Sequence, residues 1–291
     1  PYKRANRLFH PADSVIDCGG VKIGGKEKIA VMAGPCSIEG EEQALRIAKN
    51  SAEFLPKAEA ALGHPIEIIA GREEARLVFA GCAHTLPPSP EKRLVVDIGG
   101  ASTELIIGSG TEAHCCESFH VGCVNTSVTF FEDGKLTARA FKSAQLAAQA
   151  EFEEAAQEFG ARNWDAAYGS AGTIGAVAEI GQSLGLTNCI VTPALLKYLR
   201  EMLIEFGDIR RIKIAGLKDD RREVIAGGVA VLSAVFETFG IKEMRPAAGA
   251  LRVGLLYNIL GRRNQHDTRD TTVAAVLKRT HVDRLQAARV A

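Results

Sequence analysis

The run Val95-Val96-Asp97-Ile98-Gly99-Gly100-Ala101-Ser102-Thr103-Glu104 constrains this chain more than any other stretch. Residues 93–98 read as a strand, 99–102 as a tight turn, and 103–108 as a second strand that comes straight back. A carboxylate at a strand end, small residues, hydroxyls and a second carboxylate suit phosphate handling. Glycines let backbone N–H groups approach phosphate oxygens, and Ser102 and Thr103 add hydroxyl donors. Asp97 and Glu104 flank the turn and are placed to face one phosphate, with Mg²⁺ as a fitting companion. An ordinary Gly-rich hairpin turn is the structural alternative.

A second loop repeats the theme. Residues 164–168 read as a strand running into Gly169-Ser170-Ala171-Gly172-Thr173 and then a helix to Leu184. Free N–H groups and the helix dipole favour an anion there, while the plainer reading is a strand-to-helix turn capped by Thr173. Two such loops are what a cleft gripping a phosphoanhydride needs. Glu73-Glu74 opens a helix after Gly71. A carboxylate beside an incoming water can serve as general base; a favourable charge at a helix N-terminus is the structural alternative.

Elsewhere the pattern is strands alternating with helices. A helical pattern covers 41–61, a short strand 66–69, and helices 145–159, 219–239 and 250–260; Thr192-Pro193 starts another helix. A strand covers 241–245. The order implies an α/β architecture, a mixed sheet flanked by helices. Equal numbers of basic and acidic residues give a net charge of zero, so nothing argues for long-range attraction to nucleic acid or membrane. Any polyanion must be held by local clusters such as Arg221-Arg222, or Arg210-Arg211 with Lys213; solvated faces are the alternative. Seven scattered cysteines without a CxxC pair point to a reducing cytoplasm, and no apolar run has transmembrane length. The chain opens on Pro1, as a fragment would.

Several ordered stretches resemble the exopolyphosphatase/guanosine pentaphosphate phosphohydrolase family: I-E-I-I-A-G-R-E-E-A-R-L-V-F-A-G, L-V-V-D-I-G-G-A-S-T-E-L-I-I-G and Y-G-S-A-G-T-I, with H-T-L-P-P-S-P, G-C-V and G-A-L-R in order between and after them. The resemblance runs from about Ala44 to the C-terminus. It implies an actin-like ATPase (ribonuclease H-like) lobe over 93–262, preceded by the tail of an incomplete first lobe over 44–92 and followed by the start of a helical domain over 263–291. It implies that Glu74 activates water, and that Asp97 and Glu104 are catalytic and hold Mg²⁺. Gly99, Gly100, Ala101, Ser102 and Thr103 would form one phosphate loop, and Gly169, Ser170, Ala171, Gly172 and Thr173 another. Arg46 would face the polyanion. The implied reaction is stepwise release of orthophosphate from inorganic polyphosphate, with guanosine pentaphosphate as a further substrate and a homodimer as the assembly. A non-catalytic remnant that binds phosphate or nucleotide stays open beside it.

Two departures bear on the site. Ala101 stands where that family commonly has a third glycine, and would be strained if the loop needs a positive φ. The family's Asp-x-Gly-Ser-Asn-Ser loop is missing. The opening 1–43, which includes A-G-P-C-S-I-E, resembles instead the start of 3-deoxy-D-arabino-heptulosonate 7-phosphate synthase, a TIM-barrel family in which the residue matching Cys36 is a metal ligand. One strand of a barrel cannot rebuild such a site, so Cys36 is expected to be an orphan thiol and that synthase activity is the remote alternative. His266-Asp267 lacks further partners for a metal and reads as surface.

Overall fold

A computed structural model describes residues 15–18, 21–24, 55–60, 63, 65–66 and 68–263, with 15–18, 21–24 and 261–263 as backbone alone. Arg46, Cys36 and His266-Asp267 lie outside the described residues. Of the helix expected over 41–61, residues 55–60 are helical and the rest lies outside them too. A small antiparallel hairpin joins β1 (Val15–Cys18) and β2 (Val21–Gly24).

The main body is built on five strands. β3 (Lys92–Ile98) and β4 (Thr103–Ser109) form the expected hairpin, β5 (Glu112–Phe119) pairs antiparallel with β4, and β6 (Ala166–Ser170) pairs parallel with β3. The two-residue β7 (Arg245–Pro246) completes the order β5-β4-β3-β6-β7. The sheet is mixed, as expected.

Side chains alternate across a strand, so this sheet has two distinct faces. Leu94, Val96 and Ile98 of β3 and Leu105 and Ile107 of β4 enter the larger core. Val95, Ile106 and Tyr168 enter a smaller one on the opposite face, with Ala75, Val78, Phe79 and Cys82. Those last four belong to α1 (Gly71–Thr85). Burying a side chain such as Phe79, which is fully enclosed, contributes roughly 1.5–3 kcal/mol, so this face fixes α1 against the sheet. α7 (Leu251–Arg263) packs behind α1.

The larger core is covered by α2 (Cys123–Phe131), α3 (Ala138–Phe152), α4 (Ala171–Ser183), α5 (Pro193–Phe206) and α6 (Ile225–Phe239). α6 is apolar nearly all round and runs through the middle of this layer, as such a helix must. α5 starts where Thr192-Pro193 says it should: Pro193 fills the first turn and the Thr192 hydroxyl accepts from the Leu195 N–H at 3.2 Å.

Four expected elements differ from the fold. Residues 66–69 form no strand where described; Ile68 is 72% exposed and has no neighbouring strand to pair with. The helix expected over 145–159 is α3, seven residues earlier, because Thr137 caps it by accepting from the Ala140 N–H. Residues 219–239 are not one helix: a 3₁₀ turn, Asp219–Arg221, precedes α6. The strand expected over 241–245 shrinks to β7, and Met244 instead bridges Val191.

Candidate active site

Period-two alternation puts Asp97 on the Val95 face of β3 and Glu104 on the Ile106 face of β4, which are the same face, the one α1 covers. The registers extend this into a polar row. Ser118 of β5 stands opposite Glu104, Glu104 opposite Asp97, and Asp97 beside Ser170 of β6. Ser118 donates its hydroxyl to Glu104 Oε1 at 2.8 Å. Ser170 donates to the Gly249 carbonyl at 3.2 Å and also hydrogen-bonds Asp97. Four strands therefore deliver two carboxylates and two hydroxyls at one level of the sheet.

α1 brings the third carboxylate. Its first residue, Gly71, lies so close to Ser118 that a Cβ there would stand 2.6 Å from the serine Cβ, and Arg72 forks onto Glu117 with a shortest contact of 2.7 Å. The helix N-terminus is thereby pinned over β5. Glu73 and Glu74 follow in the first turn and are held differently. Glu73 takes both arms of the buried Arg76, at 2.8 Å each. Glu74 lies near enough to the polar row for its charge to act on both Asp97 and Glu104.

Burial pushes Asp97 up to about 6, with the Ser170 hydrogen bond opposing and the Glu74 charge adding to it. Burial raises Glu104 further, to about 8; the Glu74 charge adds to this and the Ser118 hydrogen bond opposes it. Crowded, desolvated carboxylates of this kind mark functional sites. They also fit a cation. Two carboxylates suit Mg²⁺, which takes substrate phosphate and water as its other ligands; among the described residues no group of three or more His, Cys, Asp or Glu side chains is placed to hold a metal ion.

The first loop is shaped by its neighbour. The Gly99 N–H donates to the Ser102 carbonyl at 2.9 Å, closing the turn. The Gly99 and Gly100 carbonyls accept from the N–H groups of Cys123, Val124 and Asn125, so the turn caps α2. Gly122 is needed for that approach, since a Cβ there would stand 2.5 Å from the Gly100 carbonyl group and the Ala101 nitrogen. Thr103 is fully buried and donates its hydroxyl to the Val121 carbonyl at 2.5 Å. Its side chain thus anchors the loop and is not turned to a ligand. Ala101 has no positive φ, so the strain expected from it is absent.

The second loop carries the strain instead. Ala171, exposed at the junction of β6 and α4, has φ 66°, a left-handed conformation that alanine avoids. Ser170, its N-cap, makes no side-chain cap bond, and Thr173 is buried against Gly228 of α6. The guanidinium of Arg221 lies over Gly172, at the start of α4. Sequence reasoning raised Arg221 only as part of a basic pair; the fold brings it to the loop. The sequence does not single out Ser118, and it offers Gly71 only as the residue ahead of Glu73-Glu74 and Gly122 only within G-C-V, because strand register and helix docking give them their place in the site.

Residues 42–263 match the Ppx/GppA phosphatase family. The chain is 41% identical over 246 residues to a guanosine-5′-triphosphate,3′-diphosphate pyrophosphatase of Aeromonas hydrophila, covering 84% of this chain and 49% of that protein. It is 39% identical, over the same shares, to the pyrophosphatase of that name from Aeromonas salmonicida. The chain thus spans about half the length of the curated relatives it matches. Among solved structures, the Aquifex aeolicus Ppx/GppA family member aligns with TM-score 0.61 and 25% identity, covering 76% of this chain and 73% of that one. An exopolyphosphatase of Cytophaga hutchinsonii shares the fold with TM-score 0.64 at 21% identity, over 75% and 72% of the two chains. None of these matches supports the synthase resemblance of the opening segment, which apart from the β1–β2 backbone lies outside the described residues. Family match, relatives and actin-like fold agree, and the chain belongs to the Ppx/GppA phosphatase family.

Proposed function

We propose that this chain hydrolyses a terminal phosphoanhydride bond, with inorganic polyphosphate and guanosine-5′-triphosphate,3′-diphosphate as its substrate candidates. The carrying observation is the convergence of Glu74 on the Asp97–Glu104 pair, from a helix and a hairpin that only the tertiary fold brings together. The names of the Aeromonas relatives favour the nucleotide. The resemblance in the sequence favours polyphosphate.

In this reading Glu74 accepts a proton from the attacking water. Its carboxylate sits in the first turn of a helix pinned by Gly71 and Arg72, so its position is set before substrate arrives. Asp97 and Glu104 would hold Mg²⁺, which supplies neutralisation of phosphate charge when bound. In this reading backbone N–H groups of the turn after Gly99 and of the β6–α4 junction would face phosphate oxygens, and Arg221 would add a cation at that junction.

Glu74→Gln keeps the side chain's size and removes its basicity. We expect orthophosphate release from both substrates to fall by a factor on the order of 10²–10⁴, with an unchanged circular dichroism spectrum. Turnover within a few-fold of the unsubstituted protein would remove Glu74 from this role. Retention of substrate binding by a protein that never releases phosphate would favour the non-catalytic reading.

A further inference from the structure

The segment between α5 and α6 carries an excess of basic residues. Residues 210–222 carry Arg210, Arg211, Lys213, Lys218, Arg221 and Arg222 against only Asp219 and Asp220, in a chain whose net charge is zero. The segment is a string of tight turns along α4. Gly216, with φ 85°, lies against Ser183 and Glu179 near the helix end, Lys218 pairs with Glu179 at 3.5 Å, and Arg221 reaches Gly172 at the helix start. Seven residues separate Gly172 from Glu179, or about 10 Å of helix. The segment therefore forms a track from the second phosphate loop along α4, in which Arg210, Lys218, Arg221 and Arg222 are each paired with an acidic side chain, Asp208, Glu179, Asp220 and Asp219 in turn.

A cavity of about 400 Å³ opens on this track, lined by Lys213, Arg222 and Asp219 with Ile214 and Leu217 as apolar walls. Arg222 is tied to Asp219, which fixes the guanidinium at the rim. Lys213 is exposed and has no acidic partner among the described residues.

We propose that this cavity is a second anion subsite, which takes a phosphate or diphosphate group of the substrate distant from the bond that is broken. The inference rests on the phosphoanhydride reading of the active site, and two sources could supply such a group: the tail of a long polyphosphate, or the 3′-diphosphate of a guanosine nucleotide. In either case Lys213 would add affinity without touching the reacting atoms.

The test compares Lys213→Ala and Lys213→Arg with the unsubstituted protein, using long-chain polyphosphate, tripolyphosphate, guanosine-5′-triphosphate,3′-diphosphate and GTP. Loss of one charge-assisted contact should raise KM about tenfold for the substrate that reaches the cavity, with kcat unchanged and Lys213→Arg restoring it. A rise for long polyphosphate but not tripolyphosphate identifies the tail; a rise for the 3′-diphosphate nucleotide but not GTP identifies that group. Unchanged KM throughout, or an equal rise for the short substrates, overturns the subsite. If the unsubstituted protein releases no phosphate, equilibrium binding of fluorescently labelled long-chain polyphosphate and of labelled guanosine-5′-triphosphate,3′-diphosphate decides separately. Binding of either ligand weakened in Lys213→Ala upholds the subsite while the hydrolase reading falls; unaltered binding of both sinks the subsite.

Discussion

The guanidinium of Arg221 lies where a β-carbon on Gly172 would stand, with Cζ 2.5 Å from that position. The contact is with the far end of a flexible side chain, not with backbone. Gly172→Ala should therefore displace the guanidinium and spare the fold. We expect a melting temperature within about 2 °C of the original, since an alanine early in a helix costs nothing intrinsically. KM for the phosphate substrate should rise by roughly tenfold, as expected when one charge-assisted phosphate contact is lost. Unchanged KM would show that Arg221 does not reach the ligand.

The raised carboxylates make stability depend on pH in a definite direction. Asp97 and Glu104 titrate at about 6 and about 8 in the fold, above their ordinary values of 3.8 and 4.5. The folded chain thus binds more protons than the unfolded one between about pH 4 and 8, and stability falls as pH rises through that window. Thermal melts in metal-free buffer should give a lower melting temperature at pH 8 than at pH 5.5, by several degrees. Adding Mg²⁺ at pH 8 should recover part of the difference. A flat profile across that range would mean the carboxylates are not crowded as described.

Removing one of the crowded charges follows the same logic. Glu104→Gln keeps an acceptor for the Ser118 hydroxyl while abolishing the buried charge. At pH 8 without metal we expect it to melt higher than the original protein by a few degrees, with activity lower by two orders of magnitude or more. Stabilisation with loss of turnover separates a functional carboxylate from a structural one, whose removal would lower both.

The β3–β4 hairpin was legible because alternation and a Gly-Gly turn are local signals, and period-two reasoning alone puts Asp97 and Glu104 on one face. What placed Glu74 beside them was not local. It depends on Gly71 meeting Ser118, 47 positions later, and on α1 closing over Val95 and Ile106. The strand expected over 66–69 shows the converse: an apolar, β-branched run is only a strand if an edge is there to receive it, and Ile68 meets solvent. The second loop was legible as a strand-to-helix junction, but its strain at Ala171 and its cover by Arg221 come from a segment 50 residues downstream that was read as the start of a helix.

The docking of α1 depends in turn on α7. A Cβ on Gly254 would stand within overlap of the Leu77 carbonyl and 2.9 Å from the Gly81 nitrogen, both backbone groups that cannot swing aside. Gly254→Ala must push the two helices apart, at a cost of about 1–3 kcal/mol for an overpacked contact. By contrast Gly175, inside α4, has nothing within 4 Å of its would-be Cβ, and Gly175→Ala should stabilise by roughly 0.5–1 kcal/mol through helix propensity alone. Urea unfolding of the two variants should move the midpoint in opposite directions. Because Leu77 is one turn from Glu74, Gly254→Ala should also lower kcat at temperatures well below its melting point, while Gly175→Ala leaves kcat alone. Equal kcat in both variants would show that α1 holds Glu74 in place without help from α7.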